Sequence, residues 1–170
     1  MGVLRKFGVR NKVEKSAELV ASYLRERYDD RVAHGPFKGM QLSRKAWWGT
    51  KDASSKLLGV YERQVQEQLE TFASHASVLI DIGAADGYMA IGAVRSGLYE
   101  RAICFEISAS GRLRLQENAE ANGVSDRIEI FGEANSETLD PLLADMADAV
   151  VLCDIEGAEF ELLSGDVLAT

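Results

Sequence analysis

The chain has 170 residues, 46% of them apolar and 27% charged, which is the balance of about one globular domain with a substantial core, and no apolar run approaches the ~20 residues that cross a bilayer. Its net charge of −8 is uneven: residues 1–50 carry 11 Lys/Arg against 5 Asp/Glu, and residues 51–170 carry 8 against 22. A basic first third could contact nucleic acid or an anionic surface, but docking on the acidic body of its own fold is the preferred reading. Phosphate binding needs clustered Lys and Arg, so the acidic part speaks against a nucleic-acid partner.

The basic start, residues 1–15, lacks a following apolar core, so it does not read as a signal peptide, and a cytoplasmic location is expected. Val13, Ala17, Val20, Ala21 and Leu24 recur at helical spacing and predict an amphipathic helix over 11–27. Residues 29–50, with Gly35-Pro36, Gly39 and Gly49, read as irregular or as a short hairpin. Trp47 and Trp48 in this stretch suit packing between the N-terminal segment and the core better than stacking on a substrate. Tyr61, Val65, Leu69 and Phe72 predict a second helix that ends before a strand at 78–82. Residues 1–56 are thus expected to form a helical N-terminal segment packing on the core, and 57–170 the main domain.

From residue 78 strands and helices alternate. Strands are expected at 78–82, 102–105, 127–131 and 149–152, and helices at 88–94, 109–121, 136–146 and 156–163, with Asn122-Gly123 stopping the second of these helices. Pro141 is tolerated only near the start of its helix or as a break. Alternation of this kind predicts an α/β fold: a parallel sheet with helices on both faces. Cys104 and Cys153 lie inside apolar strands and read as reduced, buried thiols.

Ligands of such sheets bind beyond the carboxyl ends of the strands, where strand order reverses. The first strand runs into Asp81-Ile-Gly83-Ala84-Ala85-Asp86-Gly87-Tyr88, a small-residue loop ahead of a helix. A G-x-G-x-x-G is absent, and two acids stand where a pyrophosphate would bring negative charge, which argues against a nicotinamide dinucleotide. Backbone N–H groups beside carboxylates suit a ligand with a cationic part and hydroxyls, such as S-adenosylmethionine. Glu106 ends the second strand 23 residues after Gly83, near the spacing of an acid that accepts from both ribose hydroxyls. Ile107 could pack on a purine face. The third strand ends in Gly132-Glu133, and the fourth in Asp154 and Glu156.

Asp81-Ile-Gly-Ala-Ala-Asp-Gly-Tyr, then Cys104-Phe-Glu106, then Asp154-Ile-Glu156-Gly-Ala-Glu159, with Leu58-Gly-Val-Tyr-Glu62 before the first strand, resembles the FkbM-type S-adenosylmethionine-dependent methyltransferases over residues 57–165. The resemblance implies a Rossmann-like fold with S-adenosylmethionine as cofactor. Gly83, Ala84 and Ala85, with Gly87 closing the loop, would line its methionine end. Asp81 or Asp86 would meet its amino group, Glu106 its ribose and Glu133 its adenine amino group. Asp154 and Glu156 would stand where methyl and acceptor meet, either one as general base. Asp154, Glu156 and Glu159 could instead hold a hard divalent cation, whereas Glu161 reads as helix surface and His34 and His75 show no metal spacing; no metal site is assigned. The implied activity is O-methylation of a small-molecule, sugar or lipid-linked hydroxyl.

Such enzymes usually have seven strands ordered 3-2-1-4-5-7-6, and only four are legible, so the resemblance implies a readable strand order 3-2-1-4 and a C-terminal truncation is expected. Strand four would then be an edge that self-association could cover. The alternative function is accordingly a cofactor-binding fragment without turnover, stabilised by self-association.

Overall fold

The computed structural model of the protein describes residues 2–44, 52–144, 146, 148–155, 157 and 162. They form two compact units, Met1–Arg63 and Gln64–Thr170.

The first unit opens with α1 (Gly2–Tyr28), which is longer than the apolar spacing alone predicts. Beyond it the chain folds back on itself through an antiparallel bridge between Arg31 and Gln41, burying Val32, Phe37 and Met40. Of the two expectations, irregular or a short hairpin, the described part of this stretch is an irregular loop closed by one bridge, with its own small core. Asp29 and Asp30 leave the helix at φ +52° and +54°, a left-handed conformation that Asp tolerates better than most residues. Asp30 is buried, with Arg25 at 2.7 Å and Arg44 at 2.6 Å from its two carboxylate oxygens. A short helix, α2 (Ala53–Leu58), follows. Six residues are too few to show a period, which is why the sequence pattern passes over it. Its stop is Gly59 at φ +77°, where a Cβ would lie 2.0 Å from the carbonyl oxygen of His34.

Burial alone would raise the pKa of Asp30, but hydrogen bonds and charges from Arg25 and Arg44 outweigh it and hold the carboxyl below its ordinary value. A depressed folded-state pKa contributes stability above the unfolded value of ~3.9, and that contribution is lost as pH falls through the folded value. Asp30→Asn is therefore expected to cost about 2 kcal/mol at pH 7. Urea unfolding should show the gap to wild type narrowing as pH falls below the ordinary carboxylate range; a gap independent of pH would refute the charge argument.

In the second unit α3 (Arg63–Phe72) precedes a four-stranded parallel sheet of β1 (Val78–Ile82), β2 (Arg101–Phe105), β3 (Ile128–Phe131) and β4 (Ala149–Cys153), ordered β3-β2-β1-β4. The helices are α4 (Tyr88–Arg95), α5 (Ala109–Ala121) and α6 (Ser136–Ala144), with a 3-10 turn at Ser125–Arg127. The parallel direction is that expected from the alternation of strands and helices, and the order is the one the family resemblance implies. Side chains alternate across a strand, so Val78, Ile80 and Ile82 share one face, where they pack with Ile103, Phe105 and Leu139 of α6. Leu79, Asp81, Ala102 and Cys104 face the other way and are buried too, with α4 against β1 and β2. That double burial explains the near-continuous apolar strands.

Cys104 is buried as expected and its thiol pKa is pushed up, by burial first and then by the Asp81 charge, whereas Cys153 is only half-buried. Pro141 sits well inside α6 rather than near its start. The helix ends three residues later, so the lost N–H costs one bond in a short element, and Asn135 caps the start by accepting from the Thr138 N–H at 3.0 Å. The expected last helix, 156–163, falls largely outside the described residues, as do Trp47 and Trp48. Among the described residues no helix is long and apolar enough to cross a membrane.

Candidate cofactor site

The strand order reverses at β1, which pairs with β2 on one side and β4 on the other. The loop 83–87 leaves from this point. Gly83 and Ala84 both donate their N–H to the carbonyl of Phe105, at 2.9 and 3.0 Å, tying the loop to the end of β2. On the other side Asp154 donates its N–H to Ile82 O at 2.9 Å. The two neighbours close so tightly that Gly83, at φ +89°, has the Asp154 carbonyl oxygen 2.1 Å from where a Cβ would stand. Glycine is required there twice over, by conformation and by space. Ala85 adopts φ +52° without being glycine, a conformation that costs an alanine about 1 kcal/mol or more. Gly87, at φ +80°, turns the chain into α4.

Glu106 carries the most specific geometry. Its carboxylate is buried at the end of β2, 6% exposed. One oxygen accepts from the Ala85 N–H at 3.0 Å and the other from the Ser108 N–H at 2.7 Å. The side chain thus bridges from β2 to the loop after β1 and holds Ala85 in its strained conformation. Each carboxylate oxygen has two lone pairs, so one bond apiece leaves further acceptor capacity on both, a pair suited to vicinal hydroxyls.

Helix α5 underlies this arrangement at several levels. Arg112 donates to the carbonyls of Glu106 and Ile107, at 2.8 and 2.9 Å, and Asn118 donates to the carbonyl of Asp86 at 2.8 Å. Gly111 lies directly beneath Glu106, and a Cβ there would stand 2.7 Å from its Cγ. Tyr88, buried at the start of α4, is hydrogen-bonded to Gln66 of α3; its phenol is pushed up by burial first, and the Asp86 charge adds to the rise, so it stays neutral. None of these supporting residues is singled out by motif. The one legible signal is Gly111, because a glycine in the first turn of a predicted helix costs about 1 kcal/mol against alanine and implies a close neighbour.

The remaining expected residues lie as follows. Asp81 is buried in β1, in register with Cys104 and Leu152. Ala84 is buried, and Asp86 is half-buried in the loop. Ile107 is 71% exposed, an apolar surface beside Glu106. Glu133 is exposed beyond β3 and Asp154 beyond β4. Glu156 and Glu159 lie outside the described residues, and among those described no group of His, Cys, Asp and Glu is arranged to hold a metal.

No family model matches the chain. Over 86 residues it is 34% identical to a ribosomal protein L11 methyltransferase of Vibrio parahaemolyticus, a match covering 51% of this chain and 28% of that protein. It is 36% identical over 74 residues to the same enzyme of Glaesserella parasuis, covering 44% and 24%. The chain thus matches about a quarter of the length of these curated relatives. Among solved structures, TrmK of M. capricolum with S-adenosylhomocysteine superposes with a TM-score of 0.45 at 17% identity, over 58% of this chain and 46% of that one. An RNA methyltransferase of Salinibacter ruber with S-adenosylhomocysteine gives 0.36 at 27% identity, over 41% and 46%.

These relatives overturn two expectations: the small-molecule acceptor implied by the family resemblance, and the absence of a nucleic-acid partner drawn from charge. The proteins that the chain resembles are named for a ribosomal protein and for RNA. The physical error is identifiable, since acids around a cofactor corner reflect the ligand that corner suits and say nothing of an acceptor bound by other surfaces. The likeness is to class I S-adenosylmethionine-dependent methyltransferases, over about half of this chain.

Proposed function

We propose that the chain binds S-adenosylmethionine at the 83–87 loop and Glu106 and belongs to an enzyme that methylates a macromolecule of the translation apparatus. The observation that carries this reading is the Glu106 bridge, a buried carboxylate with acceptor capacity left on both oxygens, beside a strand-end loop lined with backbone N–H groups. Glu106 would hold the ribose hydroxyls, Ile107 the adenine face and Glu133 the adenine amino group. Gly83, Ala84, Ala85 and Gly87 would border the methionine end, with Asp81 or Asp86 toward its ammonium. When bound, S-adenosylmethionine supplies a methyl group already activated by the sulfonium. Asp154 or Glu156 would orient the acceptor and take up the proton that it loses. The finer FkbM-type reading rests on the order of the same motifs, Asp81 to Tyr88, Glu106, and Asp154 to Glu159.

The curated relatives favour a ribosomal protein as acceptor. Calorimetric titration with S-adenosylhomocysteine should show one site per chain, and the absence of heat and of competition by S-adenosylmethionine would remove the reading. Incubation of ribosomes with methyl-labelled cofactor should then place label in the protein fraction. Label in RNA would redirect the acceptor, and binding without transfer would favour a cofactor-binding fragment.

A further inference from the structure

We propose that Gly111 and Arg112, the third and fourth residues of α5, are positioning residues for the Glu106 carboxylate; the inference rests on the cofactor reading above. A glutamate at the end of β2 reaches one methylene further than an aspartate, so its carboxylate must be received by the element that follows. Here that element is the first turn of α5. A Cβ on Gly111 would stand 2.7 Å from Glu106 Cγ, 2.9 Å from Cδ and 3.1 Å from Oε1, so the whole outer half of the side chain lies where an alanine methyl would be. Gly111 is buried and its backbone is helical, so neither exposure nor a left-handed conformation calls for glycine. The three heavy atoms nearest to that position all belong to Glu106.

Arg112 acts on the backbone of the same residue. One guanidinium nitrogen donates to both the Glu106 and the Ile107 carbonyls, 2.8 and 2.9 Å away. This fixes the turn from β2 into α5 and with it the direction in which Glu106 leaves the chain. Ser108 then donates its N–H to Oε1 at 2.7 Å. Gly111 leaves the space and Arg112 sets the turn, and together they aim both carboxylate oxygens while Ala85 holds the far one. A vicinal diol is recognised only if two acceptors are aimed at once, so loss of either residue should impair selectivity for the diol rather than binding in general.

The test compares S-adenosylhomocysteine with its 2′-deoxyribose analogue on wild type, Gly111→Ala and Arg112→Met. Wild type is expected to prefer the intact ribose at least tenfold. Both variants should bind S-adenosylhomocysteine more weakly and narrow that preference to threefold or less. A general loosening of the fold would weaken both ligands by the same factor and keep the ratio, and that outcome overturns the proposal. If Gly111→Ala does not fold, Arg112→Met decides alone. Wild-type binding without ribose preference would refute the positioning role while leaving cofactor binding intact, and no binding by wild type would refute the cofactor reading itself.

Discussion

Glu106→Ala is expected to weaken S-adenosylhomocysteine binding thirty- to hundredfold. Two charge-assisted hydrogen bonds to ribose hydroxyls, lost together from a buried site, are worth roughly 2–3 kcal/mol. The substitution has a second consequence inside the protein. Ala85 and Ser108 would lose the acceptor for their N–H groups, and Ala85 would keep φ +52° without the bond that supports it. The loop 83–87 should therefore loosen even without ligand. Glu106→Gln separates the two effects. Its amide oxygen can serve one N–H donor, but its NH2 would face the other, so it should resemble alanine more than glutamate in affinity. Calorimetry on the three proteins checks this, and equal affinities would remove Glu106 from the ribose.

Gly83→Ala is expected to cost at least ~3 kcal/mol of stability, a large part of the 5–15 kcal/mol that holds a typical domain together. The added methyl would lie 2.1 Å from the Asp154 carbonyl oxygen and 3.0 Å from its carbonyl carbon. The obstacle is backbone, held in turn by the bond from Asp154 N–H to Ile82 O, so no side chain can swing aside. Relief would require β1 and the end of β4 to part. Gly97→Ala is the control: its φ is +78°, but nothing lies within 4 Å of the new methyl. It should cost only the ~1–2 kcal/mol of an alanine in the left-handed region. Equal losses for the two variants in urea unfolding would show that conformation, not the approach of Asp154, sets the requirement at position 83.

Much of the second unit was legible because its signals are local and periodic. Strands of four or five apolar residues between helical stretches predict a parallel sheet, and the Asn122-Gly123 stop placed the end of α5 correctly. Glu106 could be found because a carboxylate at a strand end, at a set distance from a small-residue loop, is a pattern in one dimension. The errors also have physical causes. Six-residue α2 is too short to show a period. Pro141 was expected near its helix start or as a break because propensity arguments weigh the lost bond; it lies inside α6, which ends three residues later and so loses little by it. Net charge misled on a nucleic-acid partner because it averages over surfaces that do different things.

By itself the sequence determined the order of elements and the acids placed at the strand ends, since these follow from which residues are apolar, small or charged and in what succession. The reversal of strand order at β1 was implied only by the family resemblance. Tertiary structure decided how Glu106 is held. Its partners, Ala85, Ser108, Gly111 and Arg112, come from the loop after one strand and the helix after another. Hydrogen-bond geometry and excluded volume depend on distances that only the packed sheet creates. For the same reason the requirement for glycine at 83 and 111 is set by neighbours, the Asp154 carbonyl and the Glu106 side chain, brought within 3 Å by folding.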